Sequence, residues 1–223
     1  MKKELYIPFT KVRIGRFLFL LLSILLFFVI RPFLEDFIKI NVLMDIFFTV
    51  ILFSGIYAAS QKKSFFIIAI AIAFPTLIAH WSAYFLKIPS SFLVGSVLGS
   101  IFFAYITIII LFYLFREKEI TSDTIFGSIC AYFLIGLMWA YVFSAIEIVK
   151  PGSFQIPQGL NIGMHHFTYY SFVTITTLGY GDITPISHPA QSLSFLEAIT
   201  GQLYIAVLIA RLVGIHISQS MNK

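Results

Sequence analysis

Charge is what this chain of 223 residues has least of. Only 11% of it is charged, against about 25% in an average soluble domain. Too few polar side chains remain to cover a water-soluble globule. Cysteine is nearly absent too. Cys130 is the single one, so no intrachain disulfide can form and the redox compartment cannot be read. It lies inside an apolar run and reads as a small packing residue. No small-x-small cleavage site follows the first apolar stretch, which runs into Arg31-Pro32-Phe33 and then Glu35-Asp36. The start therefore reads as an uncleaved first span, not a signal peptide. The chain shows no internal repeat and no low-complexity segment. Its single Cys, five His and scattered carboxylates form no metal or triad spacing, so no enzyme is expected.

What is present is apolar length. The chain is 59% hydrophobic, with a mean hydropathy of +0.96. That composition defines a polytopic membrane protein. Crossing the hydrocarbon core takes about 20 mostly apolar residues. Six stretches qualify, at roughly 14–34, 40–59, 64–86, 90–115, 124–149 and 189–216. The first five are joined by short linkers, so neighbours should run antiparallel.

The basic residues orient these spans. With the N-terminus cytoplasmic, the inside carries Lys2, Lys3, Lys11, Arg13, Arg16, Lys62, Lys63, Arg116, Lys118, Arg211 and Lys223. The outside carries Arg31, Lys39, Lys87 and Lys150. That asymmetry places both termini inside. The basic residues behind the net charge of +5 sit mostly between apolar runs, so nucleic acid is not an expected partner. Trp81 and Tyr84 fit an outer aromatic belt and Tyr113 an inner one. Pro75 should kink the third span. Few residues follow the sixth, so control is expected to act through the spans, the lipid, the linkers or a separate, unknown regulatory subunit.

The interval between the fifth and sixth spans is long and unlike the rest. Residues 164–176, MHHFTYYSFVTIT, read as a short amphipathic helix of about 20 Å, too short to cross. It suits a re-entrant helix entering from outside. Non-helical backbone at membrane depth is tolerated only when buried in protein or lining a wet cavity. TLGYG follows, and then DITP.

Those residues carry a resemblance. Thr177-Leu178-Gly179-Tyr180-Gly181 resembles the selectivity filter of the potassium channel superfamily, usually Thr-Val-Gly-Tyr-Gly. The preceding TIT and following DITP match as well. The resemblance spans roughly residues 124–216, and the first four spans carry no comparable match. It implies an all-α membrane protein with six transmembrane helices, a re-entrant pore helix and an extended filter. The implied division is 1–120, a four-helix N-terminal region, and 121–223, the pore domain. The implied setting is a bacterial inner membrane, with three identical subunits and membrane lipids as partners.

The chemistry of the stretch agrees. A dehydrated K+ needs oxygens in place of its water, and backbone carbonyls supply them without fixed charge. Successive carbonyls reach one axis only if right- and left-handed dihedrals alternate, and glycine adopts φ > 0 cheaply. Gly179 and Gly181 give that permission. The ligands would be the carbonyls of Thr177, Leu178, Gly179 and Tyr180 and the Thr177 hydroxyl, with K+ as permeant ion and no cofactor. One chain lines only a quarter of such a ring, so a homotetramer is expected. The negative end of the pore helix, near Thr176, would face the cavity.

Neighbouring residues leave alternatives open. Tyr169 and Tyr170 fall where the family often has two tryptophans forming an aromatic cuff, and plain packing is the other reading. Val173 stands where some members place a carboxyl group bonded to the outer-mouth aspartate, here Asp182. Asp182 would attract cations and brace the filter, or simply form a turn. Glu147, in AYVFSAIE, resembles a glutamate that ties the fifth span to the filter's outer linker. Gly201 falls where relatives keep a hinge glycine, but a packing glycine fits as well. Glu197, a carboxylate inside the sixth span, could bond behind the pore helix, face the pore, or be neutral by protonation. Asp45 and His80 could pair and sense pH; two interfacial polar residues is the favoured reading. His165 and His166 could bind a metal in four-fold copies, but exposed residues starting the pore helix is the favoured reading.

The fourth span has no Lys or Arg within it, so weak voltage dependence is expected. The rivals are a weakly selective monovalent cation channel and a non-conducting modulatory subunit. Tyr180 argues against the first and the intact filter against the second. A secondary transporter is disfavoured because no repeated half exists.

Overall fold

Short linkers turn each apolar helix back beside the one before it. The computed structural model describes residues 15–34, 40–60, 62–86, 89–156 and 163–221. Lys2, Lys3, Lys11, Arg13, Glu35, Asp36, Lys39, Lys87 and Lys223 lie outside them, as do the side chains of Arg31 and Tyr84. Seven helices are described: α1 (Arg16–Leu34), α2 (Ile40–Ala59), α3 (Lys63–Leu86), α4 (Pro89–Arg116), α5 (Ser122–Val149), α6 (Met164–Ile175) and α7 (His188–Met221). Two short strands, β1 (Phe154–Gln155) and β2 (Thr184–Pro185), pair antiparallel, with Phe154 opposite Pro185.

Stretches in α3, α4, α5 and α7 are long and apolar enough to cross a membrane. The described apolar stretches of α1 and α2, Arg16–Ile30 and Asp45–Ala59, are shorter. The protein is thus an all-helical integral membrane protein. The helix ends follow the apolar runs closely, because backbone groups in lipid must be satisfied within the helix itself. The exception is α7, which continues past 216 to Met221.

Local chemistry sets the ends. The Thr121 hydroxyl accepts from Thr124 N at 3.2 Å and caps α5. Pro151 and Gly152 (φ +80) then stop that helix. The Ser187 carbonyl accepts from Gln191 N at 2.9 Å, and Pro189 occupies the first turn of α7. Helix α3 stays helical through Pro75.

Consecutive helices pack on each other, and α5 is the hub, touching α1, α4, α6 and α7. One core cluster takes Phe17, Leu20, Ile51, Phe102, Phe103 and Leu134 from α1, α2, α4 and α5, so it crosses residue 120. Cys130 is fully buried there, its thiol directed at Phe17 O. A smaller aromatic cluster holds Phe143, Phe154, Phe167, Tyr170, Ile183 and Ala190. It ties α5, the linker after it, α6 and the start of α7 into one block beside the glycine strand.

Candidate functional site

Helix α6 ends at Ile175, and the chain then reverses through residues 176–182. The φ angles alternate in sign along this strand. Thr177 has φ +60, Gly179 +60 and Gly181 +79, while Leu178 and Tyr180 are not in the positive region. The two glycines accept this without steric conflict. Thr177 does not: a β-branched residue there costs about 1–2 kcal/mol. Nothing in its local sequence signals this, since threonine has no left-handed preference.

The strand is anchored by its first amides. Thr177 N donates to Thr174 O at 2.9 Å, Leu178 N to Val173 O at 2.9 Å and Gly179 N to Val173 O at 3.3 Å. These bonds satisfy carbonyls that the end of α6 would otherwise leave open. Val173 thus acts through its backbone, while its side chain is buried. The Thr176 hydroxyl donates back to Phe172 O at 2.6 Å. On the strand's free side, Leu178 is 55% and Tyr180 67% exposed.

The two tyrosines of α6 divide their work. Tyr169 donates its O–H to Asp182 Oδ2 at 2.7 Å, and Asp182 Oδ1 accepts from Ile183 N at 3.0 Å. Tyr169 therefore holds Asp182, while Val173 has no polar side-chain atom to do so. The same carboxylate holds the Tyr169 phenol above its ordinary value, up to about 12. A raised value means the bond is fully present below pH of about 10 and is lost as pH climbs through about 12. Tyr169→Phe is expected to loosen Asp182 while leaving thermal unfolding nearly unchanged. Hydrogen exchange at the Ile183 amide, which donates to Asp182, alongside a melting curve checks this. Tyr170 turns inward instead. Its hydroxyl meets Ser194 Oγ at 2.6 Å, and its ring packs edge-on against Phe143 and Phe154.

The linker after α5 is stitched to the strand's exit. Glu147 is buried, and its Oε1 accepts from Gly152 N at 2.8 Å, its Oε2 from Phe154 N at 3.1 Å. Phe154 begins β1, which pairs with β2 just past Asp182. Ile186 N and Ser187 N both donate to Ser153 O, at 2.8 and 3.2 Å. The brace thus runs from α5 through the linker and the two-strand pair to the strand.

Helix α7 touches the rest of the chain along one stripe. Ser194 meets Tyr170, Glu197 meets Ser171, Tyr204 donates to Ser128 O at 2.6 Å, and Arg211 donates to Leu114 O and, at 2.8 Å, to Glu117 O. Gly201 lies in the same stripe, where an added Cβ would sit 2.5 Å from Ile175 O. It is glycine because α7 passes that close to the foot of α6. Gly201→Ala is expected to destabilise by about 1–3 kcal/mol through overpacking, read as a lower melting temperature. An unchanged melting temperature would show that α6 and α7 give way there at little cost.

His166 is buried and accepts from Gly163 N through Nδ1 at 3.2 Å, capping α6 rather than standing exposed. No group of three or more His, Cys, Asp or Glu suited to a metal occurs among the described residues. Asp45 Oδ1 and His80 Nε2 approach to 2.6 Å, so the polar pair between α2 and α3 forms, against the favoured interfacial reading. The residues that sequence reasoning missed are Ser171, Ser194 and Tyr132, whose hydroxyl donates to Ile175 O at 3.4 Å.

Residues 159–216 match the family model described as an ion channel. The match covers α6, the glycine strand and most of α7, and supports a likeness to pore-loop cation channels over that part of the chain. No curated protein and no solved structure matches the chain.

Proposed function

We propose that four copies of this chain form a potassium-selective channel that conducts K+ passively. The observation that carries this reading is the alternation of φ over Thr177, Leu178, Gly179, Tyr180 and Gly181. Alternation lets successive carbonyls address one side of the strand, as K+ coordination demands. The ligands in this reading are the carbonyls of Thr177, Leu178, Gly179 and Tyr180 and the Thr177 hydroxyl. The exposure of Leu178 and Tyr180, and of Leu196, Ile199 and Leu203 on α7, supports partner copies on that face.

Helix α4 has no basic residue before Arg116 in its last turn, so it gains almost nothing directly from the membrane field. The channel in this reading is weakly voltage-dependent, lies in a bacterial inner membrane with both termini cytoplasmic, and opens at its inner mouth by bending of α7 at Gly201. Flux into liposomes holding the purified chain tests the proposal. K+ uptake well above Na+ uptake is expected. Equal uptake would replace it with a weakly selective cation channel, and no uptake with a modulatory subunit. A steep conductance–voltage curve in planar bilayers, without blocking ions, would overturn the voltage statement.

A further inference from the structure

Three oxygens, one from each of three helices, meet at Ser171. They are Gly136 O on α5, Ser171 Oγ on α6 and Glu197 Oε1 on α7. Ser171 Oγ lies 2.7 Å from Gly136 O and in hydrogen-bond contact with Glu197 Oε1. A backbone carbonyl can only accept, an ionised carboxylate can only accept, and a hydroxyl has one proton to give. With Glu197 ionised, two gaps would share that one proton. A neutral Glu197 supplies the second: it donates to Ser171, and Ser171 donates to Gly136 O.

Two further observations point the same way. Ser171 and Glu197 are both 0% exposed, and Glu197 Oε2 has no hydrogen-bond partner among the described residues. An ionised carboxylate with one bare oxygen is a poor occupant of such a site, whereas the carbonyl oxygen of a neutral acid is a tolerable one. No described Lys or Arg forms an ion pair with it. The titratable groups facing it are the phenols of Tyr170 on α6 and Tyr132 on α5. Tyr170 is bonded to Ser194 and Tyr132 to Ile175 O. Other charged groups on these helices are remote along the chain. Asp123 and Glu147 are near the two ends of α5, His165 and His166 begin α6, and His188 and Arg211 lie more than two turns from Glu197 on α7.

We propose that Glu197 is a protonated, hydrogen-bond-donating positioning residue that clamps the inner helix to the pore helix and, through Ser171, to α5. It lies between Ser194 and Gly201 on the α7 stripe, so α7 cannot leave the foot of the filter without breaking this clamp. The coupling to conduction rests on the channel reading above; the proton count does not.

Infrared spectra of the full chain in liposomes test the clamp. The wild type should show the C=O stretch of a buried carboxylic acid that responds slowly to deuterium. Isotope labelling of glutamate carboxyls should shift it, E197Q should remove it and E197D should move it. Melting curves of S171A, E197A and the double variant should show coupled rather than additive losses. E197Q, whose amide can still donate to Ser171, should melt above E197A. A wild-type spectrum with no glutamate acid band overturns the proposal, as do additive losses in the cycle. Neither readout needs ion flux, so a channel that fails to pass K+ would leave the clamp standing, and the reverse.

Discussion

Gly179→Ala is expected to abolish K+ uptake into liposomes while the chain still folds. Gly179 sits at φ +60, and an L-residue forced there loses about 1–2 kcal/mol per subunit. The four copies of the proposed tetramer would multiply that strain around one ring. The relief available to alanine is a return to negative φ, which rotates the neighbouring peptide plane and turns a carbonyl of the proposed filter away from the proposed ion path. A Cβ at 179 would meet nothing within 4 Å inside the subunit, so no clash should unfold it. Flux and melting should therefore separate: flux lost, melting nearly kept. Wild-type K+ uptake in this variant would reject the proposed filter. Gly181→Ala, at φ +79 with equal space around it, should behave alike.

Glu147→Ala should be the most destabilising single change outside the strand. It removes both acceptors of Gly152 N and Phe154 N in a buried corner. Hydrogen bonds to a charged acceptor contribute about 1.5–3 kcal/mol each, so the loss should reach roughly 3–6 kcal/mol. The damage should not stay local. Phe154 leads into β1, β1 holds β2, and β2 follows Asp182. Selectivity for K+ over Na+ should fall along with the melting temperature. Glu147→Gln should lie between, since its amide keeps one accepting oxygen but turns an N–H toward a donor. An unchanged melting temperature for Glu147→Ala would show that the linker holds itself.

The two variants probe different kinds of information. Gly179 is informative because of its own backbone. Its need for positive φ is a property of one residue, and two glycines around a tyrosine announce it before any fold is known. Thr177 carries the same handedness with no such announcement. Its strain is held by amide bonds from the strand back to Val173 and Thr174, which exist only once α6 has ended where it does. Tyr169 and Tyr170 are adjacent in sequence, yet one braces Asp182 and the other locks to Ser194. Helical geometry turns neighbours by roughly 100°, so what each meets depends on where α5 and α7 lie.

The inner helix shows the boundary most clearly. Ser194, Glu197, Gly201, Tyr204 and Arg211 recur at steps of three, four and seven residues, so one stripe of α7 is legible in the sequence. Which helix covers that stripe is not, so nothing in the sequence singles out Ser171, and Glu197 fits three roles. The same holds for Asp45 and His80, which meet only because α2 and α3 align them at one depth.

The sequence by itself determined the apolar helices and the glycines that free the strand, because hydropathy and φ preference belong to single residues and short runs. Tertiary structure alone decided which side chains share a proton or a carbonyl, because that depends on helix rotation and depth, and no local pattern encodes either.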